Sequence, residues 1–328
     1  MKTMKAVWYR RTGPAREVLE FGEQPLPEPG RGEVRIRLKA SGVNPADCNR
    51  RAGRGYAMEA PLVIPHSDGA GIVDAVGEGV TSLHLGERVW LYNGQRGRPL
   101  GTAAEAIAIG ADLVSPLPDH VPFEAGACLG IPCMTAYLAL TCLGAIENKT
   151  VLVTGGAGAV GHYAIQLAKW MGATAIATVS DAEKAADARS AGADVVINYR
   201  TENVIDRVRE ETSGRGVDHV VEVDFGGNIA SLPEIVATNG TIASYASRGN
   251  PTPQLPFYAM MRKNLTTRFV LLPMAPLADR RRAQTQIGAF FRTPAIHRIA
   301  ATFPLDQCAS AHEAVESGTK RGTVVVLA

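Results

Sequence analysis

The stretch GEVRIRLKASG alternates without a break: Val34, Ile36 and Leu38 fall on one face, Arg35, Arg37 and Lys39 on the other. A period of two marks a strand with one buried side. AGIVDAVGEGV and GERVWLY are further short apolar runs bounded by glycines, so the first part of the chain reads as an antiparallel barrel or sandwich. Near residue 123 the rhythm changes. The runs TVLVT, TAIATV, DVVIN, HVVEV and TIASY recur every 20 to 25 residues with helix-period patterns between them, the mark of a parallel sheet. The tail holds a helix pattern in ASAHEAVES and a last strand in GTVVVLA. The pattern predicts an α/β chain of two domains, residues 1–123 with 273–328, and residues 124–272.

One turn carries specific chemistry. In VLVTGGAGAVGHYAIQLAKWMGA a buried strand runs into Gly156, Gly158 and Gly161, spaced G-x-G-x-x-G. Val160, Ala164, Leu167, Ala168 and Met171 then repeat at helical spacing. Glycines there permit a tight turn and let backbone N–H groups of the turn, with Ala159 and Val160, approach a pyrophosphate at the positive end of a helix. Inside a strand–helix–strand series this predicts a dinucleotide site. An acidic residue about 20 positions on would bind the ribose of NAD. Ser180 occupies the end of the second strand instead, nineteen residues after Gly161. A serine does not repel a 2′-phosphate, and Lys184 is near enough to bind one; Tyr199 and Arg200 add a stacking face and a second cation. NADPH is the expected cofactor, with Asp181 in an NAD-binding role as the alternative.

Composition removes other classes. A net charge of +2 over 328 residues gives no general electrostatic reason for a nucleic acid or membrane partner, and no apolar run approaches the roughly 20 residues of a membrane helix. The N-terminus lacks a signal-peptide core. Cys48, Cys128, Cys133, Cys142 and Cys308 include no CxxC pair, a reduced-thiol pattern that suggests a cytoplasmic protein.

The motifs SGVNPADCNRRAG, PHSDGAGIVDAVGEGV, GERVW, LGIPCMTAYLAL, VLVTGGAGAVG, VINYR, YASRG and AHEAVESGTKRGTVVV stand in order from end to end. Together they resemble the zeta-crystallin-like quinone oxidoreductases, a zinc-free branch of the medium-chain dehydrogenase/reductase superfamily. The resemblance implies a GroES-like β-barrel domain plus a Rossmann doubly wound parallel-sheet domain, with a cleft between them. It also places the superfamily's three zinc-ligand positions at Asn44, Ser67 and Ile131. None is a good ligand for a borderline-soft ion, and His66 lies one residue off, where a strand neighbour points the other way. The four-cysteine structural-zinc loop is missing. A metal-free site is therefore expected.

Without a Lewis acid, an acceptor that is already electrophilic is implied: a quinone or an α,β-unsaturated carbonyl. Carried over by matching position, Asn44 and Thr135 flank the nicotinamide. The family's tyrosine falls on Gly55 with Tyr56 beside it, which makes Tyr56 the candidate proton donor or quinone-stacking ring. Asp47 is expected to hold its loop or cap a helix, Asp68 to organise the barrel edge, and Arg50, Arg51 and Arg54 to form a solvated face. Ser247 and Arg248 fall at a strand end where ligands of open α/β sheets bind. The resemblance further implies a homodimer paired through TTRFVLL, residues 266–272. Two alternatives stand beside the quinone reading: an enoyl-thioester or alkenal reductase on the same fold, and a non-catalytic NADPH-binding structural or RNA-binding protein.

Overall fold

The computed structural model describes residues 2–55, 57–58 and 60–328. Strand Glu33–Val43 shows the alternation its sequence predicts. Val34, Ile36, Leu38 and Ala40 are buried, while Arg35 and Arg37 share the Asp74 carboxylate at 2.8 and 2.9 Å. The strand pairs antiparallel with Asp68–Val76 on one side and with Ala106–Gly110 and Thr323–Leu327 on the other. They belong to a seven-stranded sheet in which, among the described residues, only Ile299–Pro304 runs parallel to its neighbour. Val34, Ile36, Val73, Leu91, Ile107 and Ile109 fill one apolar core of this unit.

The second sheet is wholly parallel. Its strands Thr150–Val153, Thr174–Val179, Val195–Asn198, Val217–Glu222, Val236–Ser244 and Thr266–Phe269 lie in the order third, second, first, fourth, fifth, sixth. The order reverses between the first and fourth strands, and such a reversal opens a crevice at their carboxyl ends. The first five match the apolar runs read from the sequence.

By contact, the chain divides into one unit running to Pro132 and resuming at Phe291–Thr293 and His297–Ala328, and another made of Cys133–Phe290 and Pro294–Ile296. These handovers lie beyond the changes of rhythm at 123 and 272. Helix Phe123–Gly126 stays with the first unit because its Gly126 sits against Ala70 and Leu117. Helix Leu277–Phe290 stays with the second, burying Ala283, Ile287 and Phe290 against helix Met134–Thr141. All five cysteines are free. No helix among the described residues is long and apolar enough to cross a membrane.

Candidate active site

In the second unit, strand Thr150–Val153 ends in the glycine turn and helix Ala159–Trp170 begins at Gly158. The glycines serve different purposes. Gly155, which the sequence pattern did not single out, takes the left-handed conformation at φ +67°. A Cβ on Gly161 would lie 2.3 Å from the Gly155 carbonyl oxygen, so helix and turn touch backbone to backbone. On Gly156 it would press on Ala177 and Ile165. Gly158, Ala159 and Val160 stay partly exposed on the first helical turn, where unpaired N–H groups and the helix dipole favour an anion.

The neighbouring strand ends add polar groups. Ser180 Oγ accepts from Lys184 Nζ at 2.7 Å and donates to Asp181 at 2.9 Å. Asp181 caps helix Ala182–Ser190 by accepting from the Lys184 backbone N–H, and that bond, with the Ser180 hydroxyl, holds its carboxyl at about 2. Tyr199, half exposed, follows the strand beside Val179 through its N–H to the Val179 carbonyl. After Val236–Ser244, Ser247 Oγ accepts from the Gly226 N–H at 2.9 Å and donates to the Asn250 carbonyl, while Arg248 is exposed. Buried Glu222 ties the first and fourth strand ends by accepting from Thr154 Oγ1 at 3.1 Å.

In the first unit, a buried polar cluster gathers the three positions that the resemblance matched to zinc ligands. Asn44 Nδ2 donates to Asp68 Oδ2 at 2.7 Å, and the Ile131 N–H donates to the same oxygen at 2.8 Å. Ser67 Oγ donates to Asp47 at 3.3 Å. Asp47 also accepts from the Asn44 N–H at 2.8 Å, closing the first turn of helix Pro45–Ala52. Burial pushes the Asp47 carboxyl up to about 6 and, together with the Asp47 charge, raises Asp68 further. Gly130 is obligatory above this cluster, since its Cβ would lie 2.1 Å from Asp68 Oδ1. The groups at these three positions do not match the Cys and His ligands of a catalytic zinc: three N–H groups and a hydroxyl point at carboxylates, and no sulfur or imidazole takes part.

Thr135 is buried on the first turn of helix Met134–Thr141 in the second unit, and Tyr56 lies outside the described residues. One expectation fails: Arg51 is not on a solvated face. It is buried and paired with Glu316 at 2.7 Å, because an Arg drawn inward needs a carboxylate partner.

Two family descriptions match this chain, an alcohol dehydrogenase GroES-like domain over residues 30–119 and a zinc-binding dehydrogenase over residues 159–283. A quinone oxidoreductase of Pseudomonas aeruginosa is 32% identical over 316 residues, covering 95% of this chain and 96% of the relative. The chain belongs to the quinone oxidoreductase branch of the medium-chain dehydrogenase/reductase superfamily. A 2-haloacrylate reductase of Burkholderia sp is 30% identical across 99% of this chain and 98% of its own. The Escherichia coli quinone oxidoreductase complexed with NADPH superposes with a TM-score of 0.86 at 27% identity, covering 99% of this chain and all of the other. The first unit is thus the GroES-like domain of this oxidoreductase and the second its Rossmann-like domain.

His66 turns away from the carboxylate cluster, at φ +76°, toward residues that sequence reasoning passed over. Its Nδ1 faces Ser41 Oγ at 2.9 Å and its Nε2 faces His312 Nε2 at 2.9 Å. Burial holds His66 down to about 3 and lowers His312 as well. Cys308 and His312 stand four apart on helix Cys308–Glu316; that spacing puts both on one face and was the signal available in the sequence.

Proposed function

We propose that this chain is an NADPH-dependent reductase that delivers a hydride to a quinone or another α,β-unsaturated carbonyl, with no catalytic zinc. The observation that supports the reading is the cluster at residues 44, 67 and 131, whose side-chain and backbone donors serve Asp47 and Asp68 and offer no sulfur or imidazole ligand at those positions. The cofactor fits the second unit. The close approach of Gly161 to Gly155 and the partly exposed turn Gly158–Val160 suit a pyrophosphate. Lys184 Nζ and Ser180 Oγ, beside Tyr199, suit a 2′-phosphate, and Asp181 is committed to its helix cap. Ser247 and Arg248 border the same carboxyl ends. Bound NADPH supplies the hydride.

The protein's contribution is then positioning rather than strong acid chemistry. Asn44, fixed through Asp68, is the positioning group we assign in the first unit, and Thr135 is the one in the second. Asp68 Oδ2 already accepts two N–H groups, so a proton on this carboxyl resides on Oδ1, which has no partner among the described residues. Solvent or a nearby hydroxyl protonates the reduced acceptor. The acceptor class follows from electrophilicity, and relatives named for a quinone and for a haloacrylate span that class. Benzoquinone, phenanthrenequinone, an alkenal and a crotonyl thioester, offered in parallel, test it. The quinones are expected to show the highest kcat/KM; a thioester ahead by about tenfold or more would reject the quinone reading while keeping the fold.

A further inference from the structure

Three ligand-type side chains converge in the core of the GroES-like unit, none of them at the superfamily's zinc positions. His66 Nε2 lies 2.9 Å from His312 Nε2 and 3.7 Å from Cys308 Sγ, and the donor atoms of all three fall within 4.8 Å of one another. Met4, Val7, Trp8, Val43 and Val324 lie in the same core cluster, and the buried charges of Arg51 and Asp47 are near enough to act on Cys308.

Proton accounting fixes which lone pairs are free. Thr102 Oγ1 donates to the Asp68 carbonyl at 2.7 Å, so it accepts from Ser41 Oγ at 2.8 Å, and Ser41 in turn accepts from His66 Nδ1 at 2.9 Å. The His66 proton therefore sits on Nδ1, and Nε2 presents a lone pair to His312 and Cys308. A hydrogen bond on the far ring nitrogen is how ligating histidines are normally oriented. His66 holds this aim at φ +76°, a conformation uncommon outside glycine though one that histidine adopts more readily than most residues. Without a cation, His312 Nε2–H donates to His66 Nε2, and His312 Nδ1 is a bare, buried nitrogen with no partner among the described residues.

We propose that His66, Cys308 and His312 form a binding site for a single Cu(I) ion. Thiolate and imidazole are donors that soft copper takes. One thiolate and two neutral imidazoles around a monovalent ion sum to zero charge, whereas a divalent ion on the same three donors would leave the ion and its donors with a net positive charge to be buried. Metal–donor bonds of about 2.0–2.3 Å set donor separations of about 3.3–3.7 Å. The distance from Cys308 Sγ to His66 Nε2, 3.7 Å, is already in that range, the two nitrogens must part by about half an ångström, and His312 starts within 4.8 Å of the sulfur. On binding, the Cys308 thiol gives its proton to solvent and the His312 proton moves from Nε2 to Nδ1, so one proton leaves per ion. The ion would tie the segment carrying Ser67 and Asp68 to helix Cys308–Glu316. The proposal stands independently of the reductase reading.

The test uses the full-length, thiol-reduced protein, kept anaerobic and titrated with Cu(I) against the chromophoric competitor bicinchoninate. One equivalent is expected to be withheld, with a rise in Tm and an X-ray absorption spectrum of one sulfur and two imidazole nitrogens. Cys308→Ser should weaken retention by about tenfold or more, while Cys142→Ser, at the one cysteine that is not fully buried, retains the parent behaviour. Equal retention in Cys308→Ser, an all-sulfur shell, or one zinc bound in preference to copper would each overturn the proposal. If Cys308→Ser fails to fold by circular dichroism, the absorption spectrum of the parent protein decides.

Discussion

At the residue scale, cofactor choice rests on few atoms. Lys184 Nζ is held by Ser180 and Asp181 at 2.7 and 3.2 Å, poised beside the second strand end. Lys184→Ala should raise the KM for NADPH by about tenfold or more, since a charge-assisted phosphate contact is worth about 1.5–3 kcal/mol, and should leave the KM for NADH nearly unchanged. An equal effect on both cofactors would show that Lys184 does not read the 2′-phosphate. Asp47 makes a pH prediction. Burial holds it at about 6, above the unfolded value of about 3.9, so the folded state keeps its proton longer than the unfolded chain does. Stability is unaffected below pH about 4, falls by about 2–3 kcal/mol as pH rises to about 6, and stays reduced above that. Asp47→Asn, which mimics the protonated form, should gain that amount relative to the parent between pH about 4 and 7 in denaturant titrations; parallel pH curves would contradict it. That Ser180, Lys184 and Tyr199 fall at or just after strand ends was legible, because spacing from a glycine turn locates them. His66, Cys308 and His312 were not, because two of them lie 242 and 246 positions from the first and only folding brings them together.

At the element scale, the glycine turn works through backbone packing as much as through flexibility. A Cβ on Gly161 meets the Gly155 carbonyl oxygen at 2.3 Å, but on Gly158 the same atom is 3.2 Å away. Gly161→Ala should therefore cost about 1–3 kcal/mol of stability through overpacking and weaken NADPH binding, with Gly158→Ala the milder change. Thermal melts and fluorescence titrations compare the two, and equal effects would remove the packing argument. The strands were readable because their alternation or apolar runs are set by burial. The kink at Gly130 within Leu129–Cys133 was not, since it depends on Gly130 passing over Asp68 and on Pro132 beside it. Helix Leu277–Phe290 was obscured by an arginine-rich exposed face that leaves only Ala283, Ile287 and Phe290 buried.

At the scale of the whole molecule, the two-domain plan was legible from the change of hydrophobic period, and the handovers shifted because helices at each junction pack on the unit that buries them. Strand Thr266–Phe269 ends the parallel sheet, and Phe269, Leu271 and Met274 are exposed along and beyond it. An open apolar edge is a pairing surface, so light scattering should give about twice the chain mass of 34.7 kDa, reduced to the monomer by Leu271→Lys; a monomeric parent would rule out this dimer. The central claim is NADPH-dependent reduction without catalytic metal. Its most direct test is kcat/KM for phenanthrenequinone with NADPH and with NADH, on protein stripped by a chelator and again after zinc is restored. The account predicts turnover that prefers NADPH and is unchanged by chelation or zinc. Activity lost on stripping and recovered with zinc would contradict it.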